Sequence, residues 1–491
     1  MGLLRDARDL LKTIGSGHMM STAYDTAWVA RLSQLDEPVG NEALVWLRHH
    51  QLADGSWGAE NPGYYHDRLI CTLAAAVTLA HCGEKQDVPR LARAKEALET
   101  TVRTLGNQAM IETIGFELIA PTLFAEAESL GLITRWEDGE MTRLDQQRAA
   151  KLNALPGGLI NRYVTLAFSA EMAGTDSQRL LDVDRLQEAN GSLGHSPSAT
   201  AYFVLQIRQD AVAMNYLRGL SNGDGGIPDV APFDNFERAW TLWNLHLADS
   251  GDSELQALVE PHLDFLESAW IPDKGAGYGA GYSVPDSDMT SVIGEVVLRY
   301  GRQQDISPLM AFESSDYFKC FLLEANPSVS ANIHVLGALR QAGFERQHPA
   351  VQKIRRFLYN TQFWFDKWHV SPYYPTTHAI IACVDYLDDL IEDAVTWILT
   401  SQNPDGSWGW FSASAEETAY CLQALVVWRR HGHPVPEPVL RRGATWLAEH
   451  QAPPYVPLWI GKCLYCPTLV VQSAIISALT LVSQELGVRT C

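Results

Sequence analysis

Two aspartates one residue apart are the residues of this chain best suited to acid chemistry. Asp286 and Asp288 lie in the stretch GYSVPDSDMTSVI, between a proline and a run of apolar residues. Two carboxyls this close raise each other's pKa when they are removed from water, and the neutral acid then has a proton to give. An exposed turn is the alternative, because a D-x-D pair in a loop is commonly solvated. Whether the pair is a buried acid or an exposed turn depends on the elements around it.

Composition limits the classes of protein to which the chain can belong. Its 491 residues, 46% of them hydrophobic, predict two or more globular domains. A net charge of −21 argues against nucleic acid as the main partner. The N-terminus has no signal-peptide pattern, and apolar stretches such as the one from Leu69 look too short to span a bilayer. We therefore expect a cytoplasmic protein without stable membrane insertion, whose eight scattered cysteines are reduced.

A repeated pattern of glutamine, glycine and tryptophan organises the chain. WLRHHQLADGSWG, from Trp46, and WILTSQNPDGSWG, from Trp397, place these residues at the same intervals, and shortened copies begin at Phe357 and Trp446. Each copy indicates a helix end, a glycine turn and an aromatic plug, with apolar helical stretches between copies. Alternating β-branched runs are scarce, so the sequence predicts an all-α protein. Helix pairs repeated in this way form solenoids or α/α barrels.

Ordered blocks along nearly the whole chain resemble the class II terpene cyclases. The repeat resembles the QW repeat of that family, and STAYDTAWVARL (residues 21–32) resembles its opening block. GFELIAPTL, NGSLGHSPSATAYF, DKWHVSPYY and PLWIGKCLY resemble further blocks, in the family order. The chain looks most similar to the bacterial halimadienyl (tuberculosinyl) diphosphate synthases. The resemblance implies two α/α-barrel domains: an N-terminal segment of β (1–19), γ (20–225) and the rest of β (226–491), with the cavity between them.

The resemblance also implies a reaction and its acid. Family members protonate geranylgeranyl diphosphate and cyclise it with the diphosphate retained, here to a bicyclic halimadienyl- or clerodienyl-type product. DSDM takes the place of the family's D-x-D-D motif, which assigns the proton to Asp288 and its support to Asp286, while Met289 replaces the third acid. His334, in SVSANIHVLGAL, matches a block in which related cyclases place a histidine against the acid. A core histidine is the alternative.

Two positions bear on how the reaction ends. Plant copalyl synthases use a histidine in LHS and an asparagine in PNV, and the matching blocks here contain Phe168 and Asp229. Without that dyad, the bicyclic cation is expected to rearrange by hydride and methyl shifts. Asp229 could act as a base, although a junction turn is its simpler role. Copalyl diphosphate, or a drimenyl product from farnesyl diphosphate, are the alternatives within the class.

Further residues are candidates for contacts with the substrate. Trp368 and Tyr373, in DKWHVSPYY, could stabilise migrating positive charge, with barrel packing as the alternative. Three basic residues lie in or beside blocks that hold the diphosphate in the family, and a surface charge is the alternative for each: Arg162, Lys367 and Lys462. The resemblance implies Mg²⁺ as well, and Glu117 and Glu126 lie near the relevant block without fixing its ligands.

One motif resembles a site that carries out a different reaction. DDLIED, residues 388–393, mimics the metal-binding motif of class I terpene synthases, which ionise the diphosphate. The second motif of that class, N-x-x-x-S-x-x-x-E, is missing from the sequence. The run therefore predicts an exposed charged segment.

Three functions outside the class share an α/α barrel. A glycosidase would use paired carboxylates at a wider separation, and a protein prenyltransferase β subunit would use a zinc triad of Asp, Cys and His. A non-catalytic helical scaffold would turn over no isoprenoid. As partners we expect an isoprenoid diphosphate, a separate downstream enzyme that takes the product, and a second copy in a homodimer.

Overall fold

The structure is a computed structural model that describes residues 2–104, 111–134, 139–248, 251–324, 326–361 and 364–487. Helices dominate these ranges, and the strands are two residues long, so the predicted helical class is confirmed. Strand β1 (Ser21–Thr22) pairs with β2 (Ile227–Pro228), and β3 (Trp459–Ile460) pairs with β4 (Leu464–Tyr465), both antiparallel. The seven cysteines in the described ranges are all unpaired.

The helices fall into two sets along the chain. The first helix and the N-terminal set are α1 (Gly2–Thr13), α2 (Ala23–Ala30), α3 (Pro38–His49), α4 (Tyr65–Cys82), α5 (Val88–Thr104), α6 (Phe116–Ser129), α7 (Gly139–Asn153), α8 (Pro197–Tyr202) and α9 (Ala211–Arg218). The C-terminal set is α10 (Asp234–Leu247), α11 (Ser253–Ala269), α12 (Ser287–Arg299), α13 (Val329–Gln341), α14 (Pro349–Asn360), α15 (Tyr373–Cys383), α16 (Glu392–Thr400), α17 (Ala415–Arg430), α18 (Glu437–Glu449) and α19 (Thr468–Leu486).

Six helices of the C-terminal set form a closed ring. Helices α10, α12, α13, α15, α17 and α19 each contact the next, and α19 contacts α10. Helices α11, α14, α16 and α18 lie against members of this ring, and α1 joins the same layer by contacting α11 and α19. The N-terminal half repeats the plan: α2, α4, α6, the 3₁₀ segment Thr165–Ala173 and α8 form a ring, with α3, α5, α7 and α9 against it.

The hydrophobic core divides in the same way as the rings. Buried residues of α1 and the following loop, as far as Met19, belong to one core with residues 230–482. A second core contains residues 23–227 together with Cys463. On this division we propose the domain bounds 1–19, 20–225 and 226–491, in which α1 completes the C-terminal domain.

The two full copies of the repeat make the same hydrogen bonds. In the first, Gln51 Nε2 donates to Gly55 O and to Arg90 O, both at 2.9 Å, and Trp57 Nε1 donates to Leu47 O at 2.9 Å. The second copy makes the equivalent bonds from Gln402 Nε2 to Gly406 O (2.9 Å) and Val439 O (3.0 Å), and from Trp408 Nε1 to Ile398 O (2.9 Å). The turn glycines have φ of 88° and 98°, which disfavours residues with a Cβ. Each copy thus joins one outer helix to the next, α3 to α5 and α16 to α18.

The shortened copy that begins at Phe357 includes Gln362, which lies outside the described residues.

Helix α19 is the one helix of the described ranges that could cross a membrane by length and composition alone. The expectation that every apolar stretch is too short does not hold for its 19 residues. However, 61% of its most apolar window is buried inside the protein, and it packs against α10, α17 and α18. It is therefore a core helix of the ring.

Candidate active site

A cavity lies between the two cores, and three carboxyls face it. The open space that its walls border is about 800 Å³, including the solvent at its mouth. The charged residues in its lining are Asp229, Asp286 and Asp288. Its aromatic lining consists of Phe168, Phe233, Phe236, Tyr278, Tyr282, Phe321, Trp368, Trp459 and Tyr465. The site is therefore an apolar chamber with acids at its wall.

Asp286 caps the N-terminus of α12. Its Oδ1 accepts a hydrogen bond from Met289 N at 2.7 Å, and 3% of the residue is exposed. Burial, followed by the charge of Asp288, raises the pKa of Asp286 well above its ordinary value. Met289 is also buried and lines the cavity, so no third polar group stands here. The neutral form of Asp286 is favoured, and the exposed-turn interpretation of the pair is wrong.

Asp288 stands in the first turn of α12 and contacts a histidine. Its Oδ1 lies 2.5 Å from His334 Nδ1 on α13, and its side chain is 14% exposed. The helix N-terminus stabilises a negative charge at this position. Asp288 also lines the cavity, so its second oxygen, Oδ2, is the one left for a contact other than that with His334. The structure thus brings together the three residues that the sequence nominates for catalysis.

His378 on α15 extends this contact, and sequence reasoning missed it. Its Nδ1 lies 2.9 Å from His334 Nε2, and the residue is buried against Trp240, whose ring centroid is 5.1 Å away. Burial, followed by the charge of His334, lowers the pKa of His378 well below its ordinary value. A neutral His378 can accept at Nδ1, and both nitrogens of His334 can then donate. A lone histidine in the apolar stretch SPYYPTTHAIIA offers no signal of this role.

The two nominated aromatic residues have different surroundings. Trp368 lines the cavity and lies 6.0 Å from Phe321. Tyr373 instead stacks on Trp397 of α16 at 4.5 Å, and burial raises its pKa to about 12. The geometry favours a packing role for Tyr373 and a cavity role for Trp368.

The ammonium of Lys462 is buried within the protein and already has partners. Its Nζ donates to Glu171 Oε1 at 2.6 Å and to the hydroxyls of Ser196 and Ser198 at 2.7 Å each. It also lies 4.5 Å from the ring centroid of Phe168, which lines the cavity. This placement favours neutralisation of Glu171 over direct contact with a diphosphate.

The other two basic candidates lie outside the cavity lining. Lys367 Nζ is paired with Glu324 Oε2 at 2.5 Å and lies 5.1 Å from the ring of Trp368, so it adjoins the cavity wall. Arg162 donates to Gln187 O at 3.1 Å and to Tyr163 Oη at 2.9 Å. Of the two cations beside rings of the lining, the side chain of Lys367 is 21% exposed and that of Lys462 is 0% exposed.

The two glutamates near the magnesium block do not form one site. Glu117 and Glu126 both lie on α6, nine residues apart, which places them about 13 Å apart along the axis and on opposite faces. Glu126 is paired with Arg31 at 3.1 Å and with His81 at 2.9 Å, and Glu117 is paired with Lys151. These carboxylates are already neutralised and do not fit Mg²⁺ as a pair.

The class I-like run lies outside the cavity lining. Asp388 Oδ1 accepts from Asp385 N at 2.6 Å, and Asp389 is exposed and paired with Arg355. Asp388 also lies within 4.8 Å of ligand atoms of Asp385 and His433. The described part of this run is a charged turn before α16, as the sequence predicts.

The chain is similar to known proteins along nearly its whole length. Residues 318–451 match the family model described as squalene-hopene cyclase C-terminal domain. The type B diterpene cyclase of Mycobacterium tuberculosis is 45% identical over 490 residues, which cover 96% of this chain and 97% of that protein. A copalyl diphosphate synthase of Streptomyces anulatus is 30% identical, with coverage of 94% and 88%. The structure of the ent-copalyl diphosphate synthase from Streptomyces platensis is similar with a TM-score of 0.80 at 28% identity, covering 98% of this chain and 99% of that one.

Proposed function

The chain belongs to the bacterial class II diterpene cyclases, and on that premise we propose that it cyclises geranylgeranyl diphosphate to a bicyclic diterpenyl diphosphate. The observation that carries the proposal is the contact between Asp288 and His334 at the wall of an apolar chamber. The diterpene-cyclase relative at 45% identity supports a C20 substrate.

Initiation is the transfer of a proton from Asp288 Oδ2 to the terminal alkene. The imidazolium of His334 donates to Oδ1, which makes the neutral acid stronger and holds the carboxylate after the proton has left. The N-terminus of α12 stabilises the same charge. Asp286 stays neutral, so it adds no negative charge that would weaken the acid.

Propagation takes place between aromatic faces. The ring faces of the lining can stabilise a migrating positive charge, and an apolar wall excludes water that would capture it. Phe168 stands where plant copalyl synthases carry the histidine of their terminal dyad. We therefore propose that the cation rearranges to a halimadienyl- or clerodienyl-type skeleton before its deprotonation.

The diphosphate stays attached because the described residues contain no paired class I metal site. Lys367 is the proposed cation for it, by exchange of Glu324 for the diphosphate. Mg²⁺ is a proposed cofactor without assigned ligands, and no step of the mechanism depends on it.

Incubation of the purified protein with geranylgeranyl diphosphate tests the proposal. Parallel reactions contain farnesyl diphosphate, or EDTA in place of Mg²⁺, and the alcohols released by phosphatase are identified by mass spectrometry and NMR. The expected product is a bicyclic C20 alcohol other than copalol. Copalol as the main product would contradict the interpretation of Phe168, and turnover of farnesyl diphosphate alone would assign a drimenyl-type reaction. No turnover of either substrate would contradict the proposal that the protein is a cyclase for prenyl diphosphates.

A further inference from the structure

Four buried ionisable groups beside the cavity take no part in the proposed protonation step. Asp25, Glu171, Asp229 and Lys462 are each at most 1% exposed. Three carboxyls and one ammonium lie together, so full ionisation would leave two uncompensated negative charges away from water. Such an arrangement is unfavourable unless at least one carboxyl keeps a proton.

The ammonium compensates one of these carboxyls directly. Lys462 Nζ lies 2.6 Å from Glu171 Oε1, while the side chains of Asp25 and Asp229 are hydrogen-bonded to each other. Carboxylate oxygens of Asp25 and Asp229 and the sulfur of Cys463 all lie within 4.8 Å of one another. The pair Asp25 and Asp229 is therefore where a shared proton is held.

The partners of the two aspartates differ. Asp25 accepts hydrogen bonds from Ser198 N and Thr22 Oγ1, both at 3.1 Å, which suit a charged carboxylate. Asp229 Oδ1 accepts a long bond of 3.3 Å from Lys462 N, and the side chain of Asp229 shares a hydrogen bond with Asp25. Burial raises the pKa of both aspartates. The charge of Asp25 raises the pKa of Asp229 further, to well above its ordinary value, whereas at Asp25 the charge of Lys462 is the first cause that opposes the rise. Asp229 is therefore the neutral member of the pair.

Asp229 is also the member that faces the substrate. It lines the cavity together with Gly461 and Phe168. A Cβ at Gly461 would lie 1.9 Å from Asp229 Oδ2, so the carboxyl occupies the space that only a glycine leaves open. These residues belong to other elements than α12, whose N-terminus holds Asp286 and Asp288.

We propose that Asp229 and Asp25 are the proton acceptor that ends the cyclisation, an inference that rests on the proposed function. A C–H bond beside the final carbocation breaks, and its electron pair forms the new double bond. The released proton binds to Asp229 while the proton that Asp229 already holds passes to Asp25. The pair begins the step with one proton and ends it with two, and returns one to water after the product leaves.

The variant Asp229→Asn tests this step with little disturbance of the structure. The amide is neutral and can donate to Asp25 as the acid does, but it cannot pass a proton on. Substrate consumption is expected to continue, since Asp288 is intact, while formation of the parent product falls about 100-fold. Other alkene isomers and a hydroxylated bicycle should replace it. Asp25→Asn is expected to shift the products in the same direction.

Asp67→Asn is the matched control. Asp67 is a buried carboxyl outside the cavity lining that accepts from Ala59 N and Leu464 N, both at 2.7 Å. Its loss is expected to lower the melting temperature without changing the product ratio, so it separates lost stability from lost proton transfer.

Three outcomes would overturn the inference while the wild-type protein remains an active cyclase. Asp229→Asn could give the parent product at the parent rate. It could fail to fold, which would contradict a neutral Asp229. It could fold but consume no substrate, which would place Asp229 before the final step. Inactivity of the wild-type protein with every prenyl diphosphate would instead refute the proposed function.

Discussion

At the scale of single residues, three side chains form a line of contacts at the proposed acid. Asp288 contacts His334, and His334 contacts His378, at 2.5 Å and 2.9 Å. We propose that a neutral His378 accepts from His334 Nε2 and so leaves His334 Nδ1 to donate to Asp288. His378 lies outside the cavity lining, so it would act by positioning His334.

Replacement of His378 tests this positioning role. His378→Leu removes the acceptor, and we expect kcat to fall about tenfold or more with KM unchanged. His378→Asn keeps an oxygen near the position of Nδ1 and should restore most of the rate. Steady-state kinetics with circular dichroism as the folding control make the measurement. Equal kcat values for the two variants would show that His378 is only a packing residue.

Asp286 provides a prediction about pH. Its raised pKa means that the folded protein holds a proton that the unfolded chain has lost above the ordinary value of 3.8. This group therefore favours the folded state less and less as the pH rises from that value through the raised pKa. Asp286→Asn keeps the helix cap but does not titrate. As the pH rises from 3.8 through the raised pKa, its melting temperature should fall less than that of the wild type. A steeper fall in the variant would contradict the neutral assignment.

At the scale of elements, the sequence predicts local features better than it predicts contacts between helices that are far apart in the chain. The repeat around Gln51 and Gln402 and the acid pair before α12 are encoded within short stretches, and the structure has them as helix-linking bonds and a helix cap. The contact between α13 and α15 that brings His334 to His378 joins positions 44 residues apart. No short-range pattern encodes such a contact.

The pairing of Lys462 could not be predicted from the sequence for the same physical reason. Its block suggests a cation for a diphosphate, whereas its ammonium pairs with Glu171, 291 positions earlier in the chain. A buried carboxylate is stabilised by a cation beside it, because an uncompensated charge away from water is unfavourable. Which cation that is depends on the approach of the two halves, and the sequence alone does not predict it.

The charged turn before α16 provides a prediction about an element that resembles a metal site. We expect Asp388→Ala combined with Asp389→Ala to keep cyclisation within a few-fold of the parent, because neither side chain lines the cavity. Loss of the bonds to Asp385 N and Arg355 should lower the melting temperature slightly. A folded double variant without activity would mean that the turn binds a metal that the reaction needs.

At the scale of the whole molecule, the two halves share one chamber and one buried ion pair. Thr165 and Phe168 come from the N-terminal half, and Phe233 and Trp459 come from the C-terminal half. Lys462 and Glu171 join the halves at a side-chain exposure of 0% each. We infer that each ring is the inner layer of an α/α barrel and that the chamber exists only when both barrels are folded.

Lys462→Met tests whether this ion pair is structural. Removal of the ammonium leaves Glu171 buried and uncompensated, so the free energy of unfolding should fall by about 3–5 kcal/mol. The double variant Lys462→Met with Glu171→Gln should recover most of that loss. Denaturant unfolding makes the comparison. Unchanged stability of the single variant together with a raised KM would instead assign Lys462 to the diphosphate.

Turnover of geranylgeranyl diphosphate in D₂O tests the central claim most directly. In this experiment the wild type is compared with Asp288→Asn, whose amide cannot deliver a proton. The expected wild-type product is a bicyclic diphosphate that carries one deuterium atom from the initiating acid, with no release of inorganic diphosphate. The folded variant should form none of it. A product without deuterium, release of inorganic diphosphate, or near-normal turnover by Asp288→Asn would contradict initiation by Asp288.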